Sequence, residues 1–165
     1  AVFSTFCALS EALKASAPAN GTQLMWNETL GFLGTCPSNL GTGLRASVMV
    51  KLELFNKILE DVSSPAEDKE LLEQVCAAFD LQPRGSAGEH SPAKGAKFDV
   101  SNKQRLGFSE VQLVQKMIDG VSKVIELEEM LAGGASAADV RAKVNEMKAA
   151  PAAGSGAAAV KALAA

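Results

Sequence analysis

No run of apolar residues in this sequence approaches the roughly twenty that a helix needs to cross a bilayer, so no transmembrane segment is expected. A basic excess is missing too: 16 lysines and arginines face 19 aspartates and glutamates, a net charge of −3. Nucleic acid is therefore not an expected partner, because binding a phosphate backbone draws on a strong positive field. Cysteine is scarce, and Cys7, Cys36 and Cys76 are odd in number and lack the spacing of a metal site. That pattern suits reduced thiols in a reducing intracellular compartment better than a disulfide framework. No internal repeat is visible. An initiating Met is also lacking, and a start at Ala1 fits either processing or the tail of a longer chain. Plastid or mitochondrion after removal of a targeting segment is one expectation, and the cytoplasm is the alternative.

What is present reads as globular. With 47% hydrophobic and 21% charged residues, 165 residues suffice for one domain around a single core. Phe3, Phe6, Leu9 and Leu13 recur at helical spacing and predict an amphipathic helix over Val2 to Ser16, broken by Pro18, Asn20 and Gly21. Leu30, Phe32 and Leu33 suit a short buried strand, and Cys36 to Gly43 a loop. From Arg45 to Leu54 apolar and polar residues alternate, the period of a strand with one face in the core. Leu54 to Leu81 predicts helix in two pieces, broken at Ser63–Pro65, with a strand finishing near Gln82. Pro83 to Lys97 carries three glycines, two prolines and no periodicity, a long loop of the kind that often serves function. Phe98 to Val100 is a short strand.

Ser109 opens the clearest helix, with Val111, Val114, Ile118, Val121, Ile125 and Leu131 as its apolar stripe and Gly133–Gly134 as its end. A last helix spans Ala137 to Ala149, with Val140, Val144 and Met147 on one side. From Ala149 onward alanine and glycine dominate, which reads as a solvated or weakly helical tail, or as a docking arm ordered by a partner. The expected fold is α/β of the α+β type: a mostly antiparallel sheet flanked by helices, without the rhythm of repeated βαβ units.

Three segments carry candidate chemistry. Residues 35–45, TCPSNLGTGLR, form a small-residue loop that delivers Arg45 onto a strand. Such a loop lets backbone N–H groups approach an anion while arginine adds a forked cation, though a tight connection with a surface arginine is the equal alternative. Residues 84–90, RGSAGEH, place Arg84 five residues before Glu89, with His90, the only histidine, beside it. Arginine takes phosphate oxygens and a carboxylate grips a guanidinium, yet alone the segment also reads as a solvated charged loop. In residues 97–107, KFDVSNKQRLG, Asp99 and Asn102 could bind a ribose or cap a turn.

In this order and spacing, TCPSNLGTGLR, RGSAGEH and FDVSNKQRLGFSE resemble the C-terminal catalytic lobe of the phosphagen (guanidino) kinases. The resemblance runs from about Phe3 to Leu131, which divides the chain into an incomplete lobe, 1–131, and a helical Ala/Gly-rich extension, 132–165. It implies the glutamine-synthetase-like catalytic lobe of that family. The Gly88-Glu89-His90 form of the second loop is closest to arginine kinases. The implied reaction is reversible transfer of the γ-phosphoryl of Mg-ATP to a guanidino nitrogen, which rests on positioning and charge neutralisation.

By the same resemblance, Arg45 and Arg84 hold the nucleotide phosphates and the transferring group. Cys36 is the reactive thiol near the guanidinium, and Ser38 helps keep it as thiolate. Glu89 aligns the guanidinium within a loop that includes Gly88, and His90 and Asp99 are nucleotide-side contacts.

Departures from the family pattern shape the functional expectation. A second acidic segment, further arginines and an N-terminal helical domain belong upstream of the helix that opens this chain. Each such electrostatic element is worth about 2.7–4 kcal/mol of barrier. Met49 stands where the family carries a nucleotide-facing histidine, Glu53 replaces a proline, and Pro92 and Lys94 alter the second loop.

The favoured expectation is a non-catalytic, kinase-derived accessory or structural subunit, partnered by other protein chains, with an organellar membrane complex as one host. Two alternatives stay open: the C-terminal fragment of an active arginine phosphotransferase, and a nucleotide-binding or sensing module. No cofactor is expected for the chain as it stands, and Mg-ATP or ADP if catalysis is retained.

Overall fold

Alternating apolar positions in three segments build the sheet around which the rest of the chain is arranged. The computed structural model describes residues 2–85 and 93–149. Helix α1 (Val2–Ala19) is followed by a small antiparallel hairpin of β1 (Trp26–Asn27) and β2 (Gly31–Phe32) and by a 3-10 turn at Pro37–Asn39. Then come β3 (Ser47–Lys51), α2 (Glu53–Glu60), the single turn α3 (Ala66–Lys69), α4 (Leu71–Ala78) and β4 (Leu81–Arg84). A 3-10 turn at Lys94–Ala96, β5 (Lys97–Asn102), α5 (Glu110–Ala132) and α6 (Ala137–Ala149) complete the order.

The sheet is three-stranded with order β3-β5-β4, antiparallel throughout. Its last strand in sequence lies in the middle. One face turns Val50, Phe98, Val100 and Leu81 toward α2, α4 and α5, and these residues join the core with Phe55, Leu71, Val75, Val121, Val124 and Leu127. The mixed α/β fold with an antiparallel sheet flanked by helices is thus as expected. Helix α6 belongs to the same core through Val140 and Val144. Arg141 fastens it at the surface, donating to Asp68 Oδ1 at 2.7 Å, the Glu67 carbonyl at 3.0 Å and Gln74 Oε1 at 3.2 Å.

Helix α5 starts where Ser109 caps it. The Ser109 hydroxyl accepts from the Gln112 N–H, and the Gln112 side chain accepts from the Ser109 N–H, a reciprocal capping box. Its buried stripe, however, is Leu113, Met117, Gly120, Val121, Val124 and Leu127, and Val111 is exposed. Apolar residues lie on most of the helix circumference, so the stripe is selected by what presses on it. Gly120 lets β4 approach, since a Cβ there would sit 2.8 Å from Leu81 Cδ1. Glu128, on the same helix, accepts the N–H groups of Leu54 at 2.7 Å and Phe55 at 3.1 Å, satisfying the start of α2.

Other boundaries differ from the expectations in ways that matter. Helix α1 extends to Ala19 but buries none of its residues; Leu9 and Leu13 are exposed, and Phe3 stacks on Phe6. The expected buried strand of Leu30 to Leu33 shrinks to Gly31–Phe32, paired with Trp26–Asn27 and only partly buried, with Leu30 exposed. The alternating segment ends as strand at Lys51, because α2 begins at Glu53. Pro83 and Arg84 are strand, not loop: Pro83 sits on an edge, where its missing N–H leaves no gap in a ladder.

Candidate functional site

Residues opposite one another in an antiparallel pair point to the same side of the sheet. The register places Asp99 of the central strand directly between Met49 of β3 and Arg84 of β4. This row lies on the face away from the core residues, with Met49 half exposed at 51%. Lys51 and Lys97 form the next row and are both exposed. Arg45 precedes β3 and swings over the face, where its Nη2 ion-pairs with Asp99 Oδ2. Arg84 is partly buried, and its Nη2 lies 3.4 Å from Gln82 Oε1. Two guanidinium groups are thereby carried by one sheet face on either side of a single carboxylate.

The cysteine loop precedes Arg45 along the chain. Cys36 is exposed, with its Sγ 2.9 Å from Ser38 Oγ. The 3-10 turn is closed by the Asn39 N–H donating to the Cys36 carbonyl at 3.0 Å. Below it the chain is packed backbone on backbone. The Gly41 N–H donates to the Leu30 carbonyl at 2.7 Å and the Phe32 N–H to the Gly41 carbonyl at 2.8 Å. Gly41 has φ +98°, and a Cβ there would lie 2.4 Å from the Arg105 carbonyl oxygen. Only glycine allows that approach.

The third segment works as the bracket of the site. Arg105 is 6% exposed, and its Nη1 donates to the Ser38 carbonyl at 2.9 Å. The Thr42 N–H in turn donates to the Arg105 carbonyl at 3.3 Å. Asn102 is 2% exposed and bonded on every side by backbone, so it caps a turn and is not placed to take a ribose. Arg105 was not a candidate from sequence. The available signal was an arginine inside a Lys-Gln-Arg-Leu-Gly turn between a strand and a capped helix.

Of the expected site residues, then, Arg45, Arg84 and Asp99 share one face, and Cys36 and Ser38 touch one another in the loop that leads to Arg45. Gly88, Glu89 and His90 lie outside the described residues. Burial pushes the Cys76 thiol up to about 12, with Glu73 nearby adding to the rise. Among the described residues no cluster of three or more histidine, cysteine or acidic side chains could hold a metal ion. Among them, too, no helix is long and apolar enough to cross a membrane.

Residues 1–131 match the model of the ATP:guanido phosphotransferase C-terminal catalytic domain. The chain is 44% identical over 139 residues to the testis isozyme of creatine kinase from Oncorhynchus mykiss, covering 84% of this chain and 33% of that protein. It is 41% identical over 140 residues to lombricine kinase from Eisenia fetida, covering 85% of this chain and 35% of that protein. A crystal structure of lombricine kinase superimposes with a TM-score of 0.63 at 42% identity, over 84% of this chain and 36% of that one. The chain thus spans about a third of the length of these two curated relatives.

Proposed function

Because this chain belongs to the ATP:guanido phosphotransferase family, we propose that it supplies the phosphate-binding half of a guanidino kinase site. The observation that carries the reading is the row Met49–Asp99–Arg84 with Arg45 folded over it. Arg45 and Arg84 are the donors suited to phosphate oxygens, since a guanidinium presents a rigid fork that pairs with two oxygens at once. Asp99 holds Arg45 over the face before a ligand arrives, so an incoming phosphate exchanges one anionic partner for another. The donor set fits the phosphates of a nucleotide. A magnesium ion bound with it would take its ligands from phosphate oxygens and water, and would neutralise charge on the transferring group. The family resemblance makes Cys36, hydrogen-bonded to Ser38, the thiol that would lie near the acceptor.

The acceptor in this reading is a guanidino compound. Glu89 supports an arginine-type acceptor, whereas the similarity to a creatine kinase and a lombricine kinase supports those two substrates instead. Turnover would require the remaining carboxylate and arginines to be supplied together with this lobe.

Calorimetric titration of the 165-residue chain with Mg-ADP tests the binding step. Binding is expected in the wild type, with Arg45→Ala weakening it roughly 10- to 100-fold, as loss of a hydrogen bond to a charged group of about 1.5–3 kcal/mol would do. An unchanged affinity in Arg45→Ala would remove this face from the reading. A coupled ATP assay on the longest natural chain, with arginine, creatine and lombricine side by side, decides the acceptor.

A second reading keeps the fold without turnover, as an accessory subunit within a larger assembly, an organellar membrane complex among its hosts. It draws on α1, whose Leu9 and Leu13 are exposed, and on Met49, half exposed on the open face. Absence of Mg-ADP binding together with stable co-purification of another chain over α1 would favour it.

A further inference from the structure

The ladder between β3 and β5 ends at the pair Ser47–Ser101, two residues short of Arg45. Beyond that pair the strand would leave the sheet, and the residue that carries the guanidinium would hang from an unpaired end. Asn102 prevents this with its side chain. Its Oδ1 accepts the Ala46 N–H at 2.8 Å, and its Nδ2 donates to the Leu44 carbonyl at 3.1 Å and to the Gln104 carbonyl at 2.8 Å. The peptide groups on both sides of Arg45 are therefore held by one amide. The main chain adds to it, with the Asn102 N–H donating to the Ala46 carbonyl at 3.3 Å. The side-chain amide stands in for the next rung of the ladder.

The chemistry of this position is narrow. It must accept once and donate twice, at 2% exposure, where water cannot compensate. An ionised aspartate has the same shape but would set a carboxylate against two carbonyl oxygens. Serine is too short to reach both Leu44 and Ala46. The same turn carries Arg105, which grips the Ser38 carbonyl, so the arginine segment and the cysteine loop hang from neighbouring positions of one turn.

We propose that Asn102 is a positioning residue for phosphate binding: it fixes the backbone on both sides of Arg45 so that the guanidinium is held over the sheet face. It touches no ligand itself and acts through Arg45. The inference rests on the phosphate-site reading above, and its test separates the two.

Inorganic pyrophosphate is titrated calorimetrically into the full chain as wild type, Asn102→Ser, Arg45→Lys and the double variant, with circular dichroism and cooperative unfolding recorded for each. The expected result is that Asn102→Ser binds about five- to tenfold more weakly while still folding cooperatively. The double variant should bind no more weakly than Arg45→Lys alone, because the two residues act through one guanidinium. Asn102→Ala, which removes the amide without burying a charge or a hydroxyl, replaces the serine variant if that one does not fold.

Wild-type affinity in a folded Asn102 variant overturns the inference alone. A double variant that loses a further fivefold beyond Arg45→Lys also overturns it, because Asn102 would then act on the lobe at large. A wild-type chain that binds no pyrophosphate overturns the phosphate-site reading itself, and this inference with it.

Discussion

Alkylation of the cysteines is a direct test of how the loop and the core differ. Cys76 is wholly buried in α4, and burial pushes its thiol up to about 12. At pH 8 its thiolate fraction is then on the order of 10⁻⁴, against about a quarter for an ordinary cysteine of pKa near 8.5. The more basic thiolate is the better nucleophile, and this returns roughly one and a half of the three and a half powers of ten. Ionisation alone therefore leaves Cys76 roughly a hundredfold slower, and the need to open the core adds to that.

With iodoacetamide at pH 8 and peptide mass spectrometry, Cys36 and Cys7 should be modified in the native chain and Cys76 only after denaturant. Ser38→Ala should slow Cys36 a few-fold relative to Cys7, its internal reference, if the hydroxyl at 2.9 Å supports the thiolate. Native-state labelling of Cys76 within tenfold of Cys36 would refute the reasoning. The same thiol gives a pH signature. The unfolded chain loses this proton near 9 and the folded chain near 12, so the folded state binds more protons between those values. Its contribution to stability is complete below about 9 and declines as pH rises toward 12. Urea midpoints across that range should fall less steeply in Cys76→Ala.

Two further substitutions probe the frame around the site. Glu128→Ala removes both acceptors from the first N–H groups of α2 and should destabilise the chain by about 2–3 kcal/mol in urea titration, with Glu128→Gln costing about half as much. Equal stability of Glu128→Ala and wild type would mean that water replaces the carboxylate there. Gly41→Ala sets a Cβ against the backbone of Arg105 and Leu106 at a positive φ, where no side chain can yield. It should cost more than about 2 kcal/mol in thermal unfolding and speed alkylation of Cys36 as the loop detaches, whereas Gly34→Ala, with nothing within 4 Å, should change neither.

Much of the local structure is legible in order of residues alone. Ser109 with Gln112 encodes a helix start that needs no tertiary partner, and α5 begins there. The alternation after Arg45 encodes a one-sided strand, and β3 is that strand. The buried stripe of α5 was not legible in the same way. Val111, Val114 and Ile118 have the right spacing, but so do Leu113, Met117 and Val121, and only the approach of Leu81 against Gly120 decides between them. Arg84 resembled a loop residue because proline and glycine flank it, yet an edge strand tolerates both.

The three small-residue and charged segments around Arg45, Arg84 and Asp99, taken in order, were enough by themselves to identify the family. What tertiary structure alone decided is which groups meet. Arg45 and Asp99 are 54 positions apart, Ser38 and Arg105 are 67 apart, and Asn102 reaches across 56 residues to Ala46. Strand register and burial set those pairings. They arise from the packing of helices on one side of a sheet, which no local pattern of residues contains.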